Sequence, residues 1–265
     1  MHPSVLFASD WLVPQWPAPA GVRAVCTTRA GGVSAPPYDT LNLGTHVGDD
    51  AACVARNRAL LQAALGARPV FLNQVHGAHM QALGPQTPDG LEADGAFTRA
   101  RGLACTMMVA DCLPILLCDT RGTMVAAVHA GWRGLAGSGG AGVVETIYQQ
   151  FMAQGVAEPA QAAIELIAWL GPCIGPQAFE VGSEVRDAFT AAAPQAAACF
   201  RPLPEGKWLA NLPALARQRL QAAGVSQVYG NDSSPAWCTV GNPSRFFSYR
   251  RDRVSGRQAA CIWLE

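Results

Sequence analysis

Two uninterrupted apolar runs, 103–110 and 113–118, dominate the middle of the chain and are separated by Asp111-Cys112. Apolar runs of this length without alternation predict sheet strands covered on both faces. The segment 123–128 follows the turn pair Arg121-Gly122 and reads as the return strand of a hairpin, ending at His129. Shorter strands are predicted at 21–28, 70–75, near 95–98, and at 164–170, 225–230 and 258–263. The 70–75 strand is expected to run up to His76. Helical spacing appears where Asp49 or Asp50 can cap a helix running to Leu65, with Val54, Leu60, Leu61 and Leu65 on one side and Gly66 as its stop. Val143, Ile147 and Phe151 mark a second helix over 142–154, and further helices are predicted at 184–192 and 212–223. No fixed-period repeat is present, and no linker is long or polar enough to divide the chain. The pattern predicts one α/β (α+β) domain over residues 1–265, with mixed β-sheet layers packed against helices and an N-terminal extension at 1–20.

Composition narrows the chemistry. The 265 residues are 50% hydrophobic and 14% charged, with 19 basic against 19 acidic side chains. This balance argues against a nucleic-acid or polybasic membrane surface. Asp111 interrupts the longest apolar stretch, so no membrane span is expected, and the Met1-His2-Pro3-Ser4 start lacks a signal-peptide pattern. The single lysine, Lys207, lies in a Pro/Gly-flanked stretch, which excludes a Walker A phosphate loop and leaves Schiff-base chemistry little to rest on. Nine cysteines, with Cys26, Cys105, Cys118 and Cys261 inside strand-like runs, read as buried free thiols of a cytoplasmic protein. The five histidines are His2, His46, His76, His79 and His129.

Three segments share one arrangement: an apolar strand stops and a metal-competent or nucleophilic residue stands at its end. They are Asn73-Gln74-Val75-His76-Gly77, Ala110-Asp111-Cys112-Leu113-Pro114 and Val128-His129-Ala130-Gly131-Trp132-Arg133-Gly134. Strand ends of a covered sheet are where active sites collect. Glycines after His76 and His129 are expected to let the backbone turn and leave the imidazoles accessible. Two histidines and a cysteine make a three-ligand zinc set whose fourth position is open to water or substrate. The spacings of 36 and 17 residues fit no local metal motif. For each residue alone a structural role stays open, and Cys112 with His129 also reads as a metal-free thiolate–imidazole pair. His79 is placed off the face of His76, and His46, in a Gly-rich loop, is a possible substrate residue.

These segments closely resemble the YfiH family, also called the laccase-domain or peptidoglycan-editing-factor family. So do Leu41-Asn42-Leu43-Gly44 with His46-Val47-Gly48-Asp49-Asp50, the stretch 171–181, and Arg245-Phe246-Phe247-Ser248-Tyr249-Arg250-Arg251-Asp252. The resemblance spans about residues 21–264. It departs at Asn211, where relatives often carry aspartate, and at a longer, more polar 231–239 stretch. It implies zinc bound by His76, Cys112 and His129, and a fold similar to that of the cytotoxic-necrotizing-factor toxins, which are cysteine deamidases. It implies phosphorolysis of adenosine, inosine and methylthioadenosine, and deamination of adenosine with Asp111 as a candidate proton shuttle. The alternatives it leaves are a Cys112–His129 hydrolase, peptidoglycan-precursor editing, and a single-copper polyphenol oxidase. A four-copper laccase needs about eight histidines beyond a blue-copper site, which five cannot supply, although one copper can compete for the zinc ligands. Phosphorolysis requires an anion site, and arginine forks are the available donors. Arg58, Arg133, Arg245 and Arg250 are the candidates, with Asn42 a candidate for ribose and Phe246 and Phe247 for either purine stacking or core packing.

Overall fold

In the computed structural model, which describes residues 10–155 and 165–265, the chain opens with β1 (Val22–Cys26), α1 (Ala51–Leu65), β2 (Arg68–Phe71), β3 (Met80–Ala82) and β4 (Gly95–Thr98). The central run holds β5 (Leu103–Val109), β6 (Leu113–Asp119), β7 (Val125–Ala130), α2 (Trp132–Ala136) and α3 (Val143–Gly155). It continues through β8 (Leu166–Leu170), β9 (Glu180–Val181), α4 (Ser183–Ala192), β10 (Phe200–Pro202) and β11 (Trp208–Ala210). The chain closes with α5 (Leu212–Ala222), β12 (Gln227–Gly230), α6 (Tyr249–Asp252) and β13 (Gln258–Leu264).

Four layers explain the uninterrupted apolar runs. A four-stranded sheet, β1-β13-β5-β2, faces a six-stranded sheet, β12-β8-β6-β7-β4-β3. Cys105 and Met107 of β5 meet Leu116 and Cys118 of β6 between the two sheets. The outer face of the six-stranded sheet carries Leu113, Ile115 and Leu117 against Val143, Ile147 and Phe151 of α3 and Leu215 and Leu220 of α5. The outer face of the other sheet carries Ala104 and Met108 against Leu61 and Leu65 of α1. Every residue of β5, β6 and β7 is buried, so neither face of these strands needs polar side chains. Parallel pairs (β2 with β5, β3 with β4, β8 with β12) sit among antiparallel ones, which makes the fold mixed α/β. A small sheet, β10-β11-β9, lies beside α4.

The predicted hairpin forms, with Gly122 at φ +67° and Asp119 accepting from the main-chain N–H of Thr123 at 2.7 Å. Helix α1 begins at Asp50, whose side chain accepts from Cys53 N, and ends at Gly66 in the left-handed conformation. Its buried stripe differs from the expected one: Asn57, not Leu60, lies with Val54, Leu61 and Leu65. Asn57 accepts from Val33 N and donates to Ser34 Oγ and to the Asn42 carbonyl. A polar residue in the stripe thus ties the Gly/Pro-rich loop before α1 onto the helix. The strand expected at 70–75 stops at Phe71, because the following residues leave the sheet to build the His76 turn. Residues 10–20 pack onto the fold: Leu12 exchanges both main-chain hydrogen bonds with Cys26, and Trp16 and Ala18 lie against the inter-sheet core. His2, the start of the extension and Ile164 lie outside the described residues. All nine cysteines are free thiols, seven of them buried. Among the described residues no helix is long and apolar enough to cross a membrane.

Candidate metal centre

Strand register brings the three segments together. In the β6–β7 pair Leu113 stands opposite Ala130 and Pro114 opposite His129, so Cys112, one residue before β6, comes level with Gly131. In the β4–β7 pair Gly95 stands opposite Val128, which brings Asp94 level with His129. His76 closes the set from the turn after β2: its Nε2 lies 3.7 Å from Cys112 Sγ, and its ring meets that of His129 at 4.7 Å between centroids. The ligand atoms of His76, Cys112 and His129 all lie within 4.8 Å of one another, and no other such group of three or more is found among the described residues. Tetrahedral zinc holds nitrogen and sulfur ligands about 3.3–3.6 Å apart, so small side-chain rotations bring these three into its shell. His129 and its strand are buried, Cys112 is half-buried and His76 exposed, which leaves one side of the set open.

The glycines work differently from the expectation. His76 itself takes the left-handed conformation, at φ +63°. Gly131 has an ordinary φ of −67° and is needed for space: a Cβ there would stand 2.7 Å from His76 Cδ2 and 3.1 Å from Cys112 Sγ. Gly131→Ala is therefore expected to push His76 aside and lower metal affinity by about tenfold or more while the fold persists. Metal titration with circular dichroism checks this; wild-type affinity in the variant would refute it.

Asp94 and Arg257 are residues that the sequence did not single out. Asp94 is fully buried, and its carboxylate accepts from His129 Nδ1 at 2.8 Å and from the main-chain N–H groups of Val75, His76 and Gly77 at 3.2, 2.9 and 2.6 Å. One carboxylate thus fixes both the left-handed turn that carries His76 and the ring of His129. Burial opposes its ionisation, but the hydrogen bond from His129 and those from the backbone hold its pKa below the ordinary value. An ionised Asp94 requires the proton on His129 Nδ1, leaving Nε2 as the free donor atom, the arrangement that orients metal-bound histidines. A lone carboxylate in the apolar stretch Ala93-Asp94-Gly95-Ala96-Phe97 was the available signal.

Burial also works against a Cys112 thiolate, but the His129 charge and hydrogen bonds from His129 and His76 outweigh it and bring the thiol down to about 6. Burial likewise opposes the His129 cation, which the Cys112 charge and the Asp94 hydrogen bond raise to about 9. In metal-stripped protein, iodoacetamide is expected to alkylate Cys112 with a midpoint near pH 6, against about 8.5 for a free thiol. Peptide mapping across pH tests this, and a midpoint near 8.5 would show that the pair does not form.

His76, Cys112 and His129 line a cavity of about 520 Å³. His46, Asp111 and Arg133 line it too, as do Arg250 and Arg257. Burial, then the Arg257 and Arg58 charges, lower the pKa of His46. Asp111 lies in the turn between β5 and β6 at φ +103°, not in a strand. Its carboxylate accepts from Thr239 Oγ1 and from Arg250 N, each at 2.6 Å. Arg133 sits on α2, not in a loop, with its guanidinium over the Trp132 ring at 4.5 Å.

Asn42, Arg58, Arg245, Phe246 and Phe247 fall outside the cavity lining. Arg58 donates to the Leu43 carbonyl, lies 3.8 Å over the Phe71 ring and pairs with Asp89. Arg245 packs over Phe246, 5.1 Å from the ring centroid, and Phe246 and Phe247 are fully buried core residues. Asn42 is buried and spends its amide inside the fold, on Gly44, Asp49 and Arg257. Their sequence neighbourhoods are the same as those of site residues, but their side chains point into other layers. His79 is exposed and away from the cavity. Lys207 pairs with Glu180 on the surface. Asn211 caps α5 by accepting from Ala214 N at 3.1 Å, a role that aspartate fills equally.

Comparisons with known proteins identify the family. Residues 23–265 match the family described as multi-copper polyphenol oxidoreductase laccase. A purine nucleoside phosphorylase of Pseudomonas aeruginosa is 49% identical over 256 residues, covering 96% of this chain and 98% of that protein. The purine nucleoside phosphorylase YfiH of Escherichia coli is 48% identical over 259 residues, covering 97% and 99%. Among solved structures, a Neisseria meningitidis protein superposes with a TM-score of 0.83 at 44% identity, covering 97% of this chain and 100% of that one. YlmD of Geobacillus stearothermophilus superposes at 0.86 with 31% identity over 98% of each chain. Across nearly its whole length, then, the chain belongs to the laccase-like YfiH family.

Proposed function

We propose that the chain is a zinc-dependent purine nucleoside phosphorylase acting in the His76–Cys112–His129 cavity. One observation carries the reading: three metal-competent atoms converge on a cavity of nucleoside size whose arginines 133, 250 and 257 have no carboxylate partner among the described ion pairs. The names of the P. aeruginosa and E. coli relatives support it. In the reaction a phosphate oxygen bonds to the ribose C1′, the C1′–N9 bond breaks, and its electron pair leaves with the purine, which takes up a proton. The arginines would hold the phosphate, and Asp111, the carboxylate in the lining, would carry a proton at its Oδ atoms. Zinc, when bound, supplies Lewis acidity and lowers the pKa of a water to about 7. We include adenosine, inosine and methylthioadenosine as substrates, and deamination of adenosine, in which water replaces the C6 amino group and ammonia leaves. The nine free thiols support a reducing compartment, the cytoplasm.

The test is incubation of metal-loaded protein with adenosine, with and without phosphate, reading adenine, inosine and ribose 1-phosphate. Phosphate-dependent adenine with equimolar ribose 1-phosphate is expected. Absence of all three products with a filled metal site would overturn the reading.

A second reading has its own observation. Asp94, His129 and Cys112 form an orienter, base and nucleophile in sequence of contact, the arrangement of a cysteine hydrolase. It predicts a fully active metal-free protein that alkylation of Cys112 inactivates. Loss of activity on metal removal, restored by zinc, decides against it.

A further inference from the structure

The Leu41–Gly44 motif has no direct place in the cavity, yet three of its four residues, Asn42, Leu43 and Gly44, meet one arginine, Arg257. Asn42 Oδ1 accepts from Arg257 N at 2.9 Å, and Leu43 N donates to the Arg257 carbonyl at 3.1 Å. Gly44 leaves room for the Arg257 stem, since a Cβ there would stand 2.9 Å from Arg257 Cγ. On the other side, Gly256 is packed against Phe247 and Asn42, 2.7 and 3.0 Å from where a Cβ would lie. The guanidinium donates through Nη1 to the Ser255 and Gly256 carbonyls at 2.8 and 3.0 Å and lies 6.0 Å from the centroid of the Tyr249 ring. Its remaining N–H groups have no protein partner among the hydrogen bonds and ion pairs described, and none is an unsatisfied buried atom, so they open to the cavity that Arg257 lines.

The other two cavity arginines are less committed to a ligand. Arg250 donates to the Glu180 carbonyl and lies over Phe179, and Arg133 is exposed. The negative group nearest in sequence to the metal ligands, Asp111, already accepts from Thr239 and Arg250, which lessens its repulsion of an anion. A guanidinium with one edge braced and the other free presents a preformed fork to a phosphate dianion.

From this geometry we infer that Arg257 is the anion-binding residue of the cavity, taking the inorganic phosphate co-substrate, and that Asn42 and Gly44 are its positioning residues. The identity of the anion rests on the phosphorolytic reading; the binding site does not. The experiment titrates inorganic phosphate into metal-loaded wild-type, Arg257→Gln, Arg257→Lys, Gly44→Ala and Arg245→Gln proteins by calorimetry, and measures KM for phosphate and for nucleoside separately. Arg257→Gln is expected to weaken phosphate binding and raise its KM at least tenfold, with the nucleoside KM changed less than twofold. Arg257→Lys, which keeps the charge and the stem, recovers part of the loss; Gly44→Ala shifts in the same direction as Arg257→Gln; Arg245→Gln matches wild type. Phosphate binding that depends on Arg257 in a protein that turns over no purine nucleoside would keep the site and remove the phosphorylase reading. Turnover with an unchanged phosphate KM in both Arg257→Gln and Arg257→Lys would overturn the site and keep the reading.

Discussion

Replacing Cys112 with alanine is expected to take bound zinc from about one ion per chain to background and to cut nucleoside turnover by on the order of a thousandfold. The first number follows from coordination: two histidine nitrogens alone hold zinc far more weakly than a His–Cys–His set. The second follows from losing a Lewis acid worth several kcal/mol in the transition state, at about 1.4 kcal/mol per tenfold. The fold should persist, because Cys112 stands in a turn at the cavity and is only half-buried. The diagnostic readout is thermal. Wild-type protein should gain Tm as zinc is added, because a ligand that binds only the native state stabilises it, and the variant should gain nothing. Elemental analysis together with a Tm series against zinc tests both halves. A variant that still binds zinc stoichiometrically would remove Cys112 from the ligand set.

Asp94→Asn should be felt twice. Four donors converge on the native carboxylate, three from the main chain and one from His129. An amide offers them a single acceptor oxygen and turns its own N–H₂ toward other donors. Leaving buried donors unsatisfied around a lost charge costs about 3 kcal/mol, which for a chain of this size corresponds to roughly 6–12 °C in Tm. The second effect is on the metal. Without the carboxylate the His129 tautomer is no longer fixed and the His76 turn loosens, so zinc affinity should fall about 10–100-fold. Differential scanning calorimetry and a competitive chelator titration measure the two losses. An unchanged Tm with unchanged affinity would show that Asp94 does not organise the centre. A loss of stability alone would confine it to the turn.

Much of the architecture was legible in the chain. The runs that became β5 and β6, the Arg121-Gly122 hairpin, the Asp50 and Gly66 ends of α1, and the Val143–Ile147–Phe151 face of α3 all follow from local patterns that burial enforces. The resemblance of the three His and Cys segments to the YfiH family pointed to the three residues that the fold brings within 4.8 Å of one another. The misreadings share one cause. The apolar character of 70–75 suggested a strand, but beyond Phe71 the backbone N–H groups are taken from outside the sheet ladder, Asn73 by the Leu91 carbonyl and Val75 by Asp94, 19 residues further on. Arg58 and Arg245 had the charge for phosphate, yet the layers they point into gave them Phe71 and Phe246 instead. Asn42 sits in a motif that contributes to the cavity only through Arg257, 215 residues away.

By itself, then, the sequence determined the elements and the mixed α/β class, because hydrophobic periodicity, caps and turn residues act over a few positions, while the family resemblance pointed to the three metal-competent residues. Tertiary structure alone decided which side chains meet. Strand register placed Cys112 level with Gly131 and Asp94 level with His129, and a single-residue slip in either pair would turn those side chains to the opposite face of the sheet. Arg257, Asp94 and the empty space kept by Gly131 therefore became visible only once the strands were paired.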